Sequence, residues 1–102
     1  MKKDIENNIN ESKVDKSCFL DVGIRISNST ILKNTRCYKF SHIVKSIIEN
    51  NSIVGDLSKV DHCQLGVYNK IEKYNHLYHC RIGDYSFTGP YTVGMHADIG
   101  KF

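Results

Sequence analysis

Three of the five histidines, His62, His79 and His96, are spaced seventeen residues apart. In a chain that repeats with this period they form one row of imidazoles, and Lys45 and Asn28 occupy the same position in the preceding repeats. Histidine suits general-base catalysis near neutral pH and is a common zinc ligand. A turn that requires a left-handed backbone also favours Asn and His. We expect this structural requirement to explain the row.

The four cysteines suggest a disulfide set or a zinc site, but Cys18, Cys37, Cys63 and Cys80 include no Cys-x-x-Cys pair. In the seventeen-residue repeat, Cys37 takes a position that is otherwise held by large, inward-facing aliphatic residues. The other three cysteines take positions that are otherwise held by small, inward-facing residues. A thiol there behaves as a small hydrophobe. Cys63 and Cys80 are predicted to stack on adjacent coils, where a reducing cytoplasm would keep them from oxidising.

Hydrophobic residues recur along the chain in steps of six, six and five. The series runs Ile31, Cys37, Ile43, Ile48, Val54, Val60, Leu65, Ile71, Leu77, Ile82. Three steps make a coil of seventeen residues, and coils start at Val14, Ile31, Ile48, Leu65, Ile82 and Ile99. A fixed period is typical of solenoid proteins, in which one repeat cannot bury its own hydrophobic face. The pattern predicts an all-β parallel β-helix of triangular coils, about five coils of seventeen residues.

A column of small or amide-bearing residues, two positions before each large one, supports this fold. Its members include Thr35, Ser41, Ser46, Ser52, Ser58, Cys63, Asn69, Asn75, Cys80 and Ser86. Side chains on a strand alternate, so both columns can point inward. The rhythm continues back through Leu20 and Ile26, although Ile24 breaks it. Amphipathic helices are the alternative, for example over residues 42–50, but helical spacing does not produce a period of seventeen.

The chain divides into a polar, Asn-rich segment, residues 1–13, and the β-helix, residues 14–102. We expect the first segment to be a leader or a cap over the first coil. No stretch has the length of a membrane span or the pattern of a signal peptide, so a cytoplasmic protein is expected. A net charge of +3 in 102 residues is too weak to indicate nucleic acid as a partner.

Two phrases resemble the hexapeptide-repeat acyltransferases, in particular chloramphenicol and streptogramin acetyltransferases and O-acetyltransferases of bacterial surface polysaccharides. They are Ile-Gly-Asp-Tyr-Ser at residues 82–86 and Ile-Gly-Lys-Phe at residues 99–102. Upstream, only the general repeat is shared. The resemblance implies a left-handed coil, a homotrimer, acetyl-CoA as donor in a groove between subunits, and a hydroxyl of a sugar or similar molecule as acceptor.

In this family a histidine in a later loop deprotonates the acceptor hydroxyl, which is otherwise a poor nucleophile. The resemblance therefore implies that the general base lies beyond Phe102 and that the catalytic residues of this chain are unknown. On this interpretation the 102 residues are the scaffold portion of an acetyltransferase, inactive alone, and either a fragment or completed by another polypeptide.

Two other interpretations concern the histidine row. The phrase Val-Asp-His-Cys-Gln-Leu-Gly at residues 60–66 resembles the valine-acid-histidine phrase of sugar-amine N-acetyltransferases in the same superfamily, but it lacks one residue before the cysteine. On that resemblance His62 and His79 are candidate bases. The γ-class carbonic anhydrases share this coil and bind zinc through histidines, but from two subunits and non-equivalent turns, so we expect no metal.

A non-catalytic assembly or interaction module is the remaining alternative. Tyr68, Tyr85 and Phe102 form another outward column of period seventeen. They could line a subunit contact or simply form an aromatic stack. His42 and His76 have no partner spacing and are predicted to be surface or turn residues.

Overall fold

The computed structural model describes residues 7–95 and 98–99. This part of the chain contains no helix, and hence none that could cross a membrane. Its strands are β1 (Asn8–Asn10), β2 (Lys13–Val14), β3 (Phe19–Leu20), β4 (Arg25–Ser27), β5 (Thr30–Ile31), β6 (Arg36–Cys37), β7 (His42–Val44), β8 (Ile47–Ile48), β9 (Ile53–Val54), β10 (Lys59–Asp61), β11 (Gln64–Leu65), β12 (Lys70–Ile71), β13 (His76–Tyr78), β14 (Arg81–Ile82), β15 (Phe87–Thr88), β16 (Val93–Met95) and β17 (Asp98–Ile99).

The strands stack into three parallel sheets, and each strand pairs with the third strand after it in the chain. Sheet A contains β1, β4, β7, β10, β13 and β16, sheet B contains β2, β5, β8, β11, β14 and β17, and sheet C contains β3, β6, β9, β12 and β15. Paired residues are seventeen positions apart, as Val60 is from Ile43 and Leu77. The predicted all-β parallel β-helix is confirmed. The left-handed coil and the homotrimer stay predictions.

Large aliphatic side chains fill the interior of the coils. Every residue of the predicted series from Ile31 to Ile82 has at most 1% of its surface exposed. Ile24, which breaks the rhythm in the sequence, is also completely buried. Ile24 lies seventeen residues before Ser41 and is therefore its equivalent one coil earlier. An inward position that holds a small residue in the next coil holds a large one here.

The small inward residues join neighbouring coils through hydrogen bonds. Ser46 Oγ accepts the N–H of Cys63 at 3.0 Å and donates to the carbonyl of Val44 at 2.8 Å. Asn75 divides these roles between two atoms, because its Oδ1 accepts the N–H of Thr92 and its Nδ2 donates to the carbonyl of Glu72. Within the described part of the chain, no buried side-chain nitrogen or oxygen lacks a partner. The polar column is therefore buried without the cost of unsatisfied groups.

A residue with a left-handed backbone closes each corner of the coil. The corner between sheets A and B has Glu11, Asn28, Lys45, His62 and His79, the corner between B and C has Asn34, Asn51, Tyr68 and Tyr85, and the corner between C and A has Gly23, Phe40, Leu57, Tyr74 and Tyr91. Bulky side chains seldom adopt this conformation. Here the N–H of most of them bonds to the preceding coil, as that of Tyr74 does to the carbonyl of Asp56 at 2.8 Å. Pairing between coils thus imposes the corner geometry.

Parallel pairing begins within the segment predicted to be a leader or cap. Strand β1 pairs with β4 in the register of the repeat, with Ile9 opposite Ile26. The Ile9 side chain is exposed, whereas that of Ile26 is buried. Residues 8–10 therefore cover the end of sheet A without joining the core.

Two neighbouring residues of β9 test the inward register. Val54→Asp should unfold the protein, because an unpaired buried carboxylate costs several kcal/mol against a total stability of about 5–15 kcal/mol. Ile53→Asp, the matched control on the outward face between Arg36 and Lys70, should leave the thermal midpoint nearly unchanged. Thermal denaturation followed by circular dichroism measures both. Equal losses of stability in the two variants would contradict the register.

Candidate functional site

The histidine row lies at the corner between sheets A and B. His62 follows β10 and His79 follows β13, with φ angles of 54° and 53°. Asn28 and Lys45 hold the same left-handed conformation in earlier coils. The backbone conformation predicted for this turn is thus confirmed at these positions. His96 lies outside the described residues.

The His62 and His79 rings stack face to face. Their centroids are 4.7 Å apart and their planes differ by 19°, which is close to the spacing of paired strands. Stacked rings present their nitrogens side by side, whereas a tetrahedral zinc ion needs ligands that converge. Over residues 7–95 and 98–99, no group of three or more His, Cys, Asp or Glu is placed to hold a metal ion.

Asp61 and His62 form a close carboxylate–imidazole pair. His62 Nδ1 lies 2.6 Å from Asp61 Oδ1, and the two side chains are 42% and 25% exposed. An imidazole that donates its Nδ1 proton to a carboxylate keeps Nε2 free to accept a proton. The residue before His79 is Tyr78, which offers no carboxylate. His62 therefore has the carboxylate partner that prepares an imidazole to act as a base.

The cysteines next to the row are structural. Cys63 and Cys80 are buried, and Cys63 Sγ accepts the N–H of Cys80 at 3.3 Å, as Ser46 Oγ accepts that of Cys63. Burial raises the pKa of Cys63 to about 11 and that of Cys37 to about 12. Thiols with such pKa values are poor nucleophiles at neutral pH. All four cysteines are free, in agreement with their prediction as small hydrophobes.

A shallow cleft lies on sheet B, whose strand β11 begins two residues after His62. Its volume is about 360 Å³, and Glu49, Gln64, Arg81 and Asp84 supply its polar walls. Asp84 Oδ1 accepts the N–H of Val67 at 2.9 Å, which fixes one end of the cleft. The cleft is open to solvent and combines acidic, basic and amide groups, a lining that suits a polar ligand.

Stacked tyrosines stand at the other two corners. Tyr68 and Tyr85 stack at 5.2 Å, so the predicted aromatic stack is confirmed for these two residues. Phe102, the third member of the predicted column, lies outside the described residues. Tyr74 and Tyr91 stack at 5.0 Å on the third corner, which sequence reasoning missed although the two are also seventeen residues apart. Both stacks leave apolar surface exposed to solvent.

No protein-family model and no curated protein matches this chain.

His79 provides a test of the structural explanation for the row. His79→Asn should change the thermal midpoint little, because Asn tolerates a left-handed backbone. His79→Ile should lower the free energy of unfolding by about 1–2 kcal/mol, since a β-branched residue is strained in that conformation. Thermal unfolding of the two variants separates them. Equal stability would show that the corner does not impose the conformation.

Proposed function

We propose that this chain is the scaffold portion of an acetyltransferase that moves an acetyl group from acetyl-CoA to a hydroxyl of a sugar or similar acceptor. The resemblance of residues 82–86 and 99–102 to the hexapeptide-repeat acyltransferases motivates the proposal. A parallel β-helix with coils of seventeen residues agrees with it. The observation that supports it most directly is the Asp61–His62 pair, two residues before Gln64 in the wall of the cleft on sheet B.

The reaction needs a base, because an alcohol is a weak nucleophile toward a thioester at neutral pH. His62 Nε2 would take the hydroxyl proton as the acceptor oxygen bonds to the acetyl carbon. The carbon–sulfur bond then breaks, and the proton passes from His62 to the departing thiolate. Asp61 would hold the imidazole in the required tautomer and stabilise its protonated form, as the carboxylate of a catalytic triad does.

A non-catalytic assembly module is the second candidate, and the stacked tyrosines at two corners favour it. Tyr85 and Tyr91 are the most exposed members of these stacks. Exposed aromatic side chains are enriched at contacts between proteins. This function would need neither the Asp61–His62 pair nor the cleft.

Release of thiol from acetyl-CoA by the purified protein, with a panel of sugars, tests the first proposal. The resemblance by itself implies an inactive scaffold, but the Asp61–His62 pair supplies a base within the chain. We therefore expect acceptor-dependent release, which His62→Asn reduces by about 10²–10⁴-fold, the usual contribution of a general base. The matched control is His79→Asn, which makes the same substitution in the other ring of the stack and should keep most of the activity.

The same assay distinguishes the alternatives. Activity that survives His62→Asn would remove His62 from the mechanism and leave His79 and His96 as the candidate bases within this chain. No thiol release with any acceptor, by a protein that forms stable oligomers which Tyr91→Ser disrupts, would reject acetyl transfer and support the assembly module.

A further inference from the structure

One outward column of sheet A carries positively charged or protonatable side chains in four successive coils. Arg25 pairs in register with His42, His42 with Lys59, and Lys59 with His76. We call these four residues the cationic stripe. Adjacent members are separated by about 4.8 Å, the spacing of paired strands, so the stripe is about 14 Å long. Arg25 and His76 are exposed, and His42 and Lys59 are half-buried.

The protein itself leaves the cationic stripe largely unneutralised. No member forms an ion pair with another described residue. Asp61 is the one acid among the outward residues described on sheet A, and its Oδ1 lies 2.6 Å from His62 Nδ1. The fixed positive charges of Arg25 and Lys59 repel each other unless solvent or a ligand screens them. The stripe therefore has the charge of an anion-binding surface.

An aromatic ring lies beside the cationic stripe. Tyr78 projects from the same face of sheet A as His76, and the two rings meet edge to face at 6.4 Å. The Lys59 Nζ lies 5.8 Å from the centre of the Tyr78 ring. An aromatic side chain offers an apolar face and a polar tip, and it can pack against the apolar face of a sugar ring.

Charge spacing decides between two classes of anionic polymer. Duplex DNA carries one charge per about 1.7 Å of its axis, nearly three times the density of a fully protonated stripe, which has one charge per about 4.8 Å. A polysaccharide with one carboxylate on each sugar spaces its charges by one sugar unit, which is closer to the strand spacing. Its sugar rings also give Tyr78 a partner.

We propose that the cationic stripe binds an acidic polysaccharide with one carboxylate per sugar unit, which runs along the stack of coils and packs one sugar ring on Tyr78. This inference does not depend on acetyl transfer, because binding requires no reaction. It also gives His42 and His76, which the sequence predicts only to be surface or turn residues, a role in binding the polysaccharide.

The charge of the stripe changes with pH at His42. Burial lowers the pKa of His42 from its usual value, the cations Lys59 and Arg25 lower it further, and Asp61 opposes them. The lowered pKa makes His42 gain its charge at a more acidic pH than an ordinary imidazole does, whereas sugar carboxylates stay ionised down to about pH 5. Binding should tighten as the pH falls from 8 to 5.5.

Binding of polygalacturonate to the purified 102-residue chain, followed by fluorescence anisotropy at low salt, tests the inference. Arg25→Gln with Lys59→Gln should lower affinity about tenfold, since each exposed ion pair contributes a few-fold. The matched control, Arg36→Gln with Lys70→Gln, removes the same charge from outward positions of sheet C and should change affinity less than threefold. His42→Asn should reduce the gain in affinity at pH 5.5. Circular dichroism confirms that each variant is folded.

Four outcomes would overturn the inference. They are no binding of polygalacturonate, equal binding of neutral dextran, equal losses in the two double variants, and tighter binding of single-stranded DNA than of polygalacturonate. The third would show that net charge alone attracts the polymer. Loss of acetyl transfer in the thiol assay with polygalacturonate binding intact would reject the proposed function and leave this inference standing.

Discussion

The structure depends on the pairing of each residue with the residue seventeen positions later in the chain. A coil has no interior of its own, so its aliphatic side chains are buried only when the coils above and below share the register. The same pairing bonds corner residues such as Leu57 and Tyr74 to the preceding coil and holds them in a left-handed conformation. That conformation costs about 1–2 kcal/mol per residue, a cost offset by the hydrogen bonds and by the burial of neighbouring aliphatic groups such as Val54.

The sequence predicts the core well because inward positions tolerate few residue types. The steps of six, six and five identify Val60 and its counterparts as buried, and the bias of Asn and His toward left-handed turns predicts the corner at His62. Other features carry no comparable signal. Tyr74 has little intrinsic preference for its backbone conformation, Ile24 fills a position that is small in later coils, and Asn8 and Asn10 give β1 a polar composition. In each case pairing with the next coil overrides local preference.

The candidate site was predictable in its spacing but not in its chemistry. The period of seventeen aligns His62 with His79, whereas the contact between Asp61 and His62 depends on the corner itself. Consecutive residues of a strand point to opposite sides, and the left-handed turn at His62 brings its ring back toward the outward Asp61. Stacking also limits what the histidines can do, because parallel rings suit proton transfer by one imidazole better than the convergent binding of a metal. The cationic stripe has the same origin, since one register aligns Arg25, His42 and Lys59 as strictly as it aligns the core.

The register of seventeen is most directly measured by cross-linking across sheet C. Ile53 lies opposite Lys70, so cysteines at these two outward positions have Cα atoms about 5 Å apart, within reach of a disulfide. A cysteine at Glu72 instead of Lys70 is two residues further along the chain and beyond that reach. Mild oxidation should join residues 53 and 70, identified by mass spectrometry of the linked peptides, and should leave the pair at 53 and 72 reduced. Equal cross-linking of both pairs, or cross-linking at 53 and 72 alone, would contradict the register and with it the alignment of the histidine row and the cationic stripe.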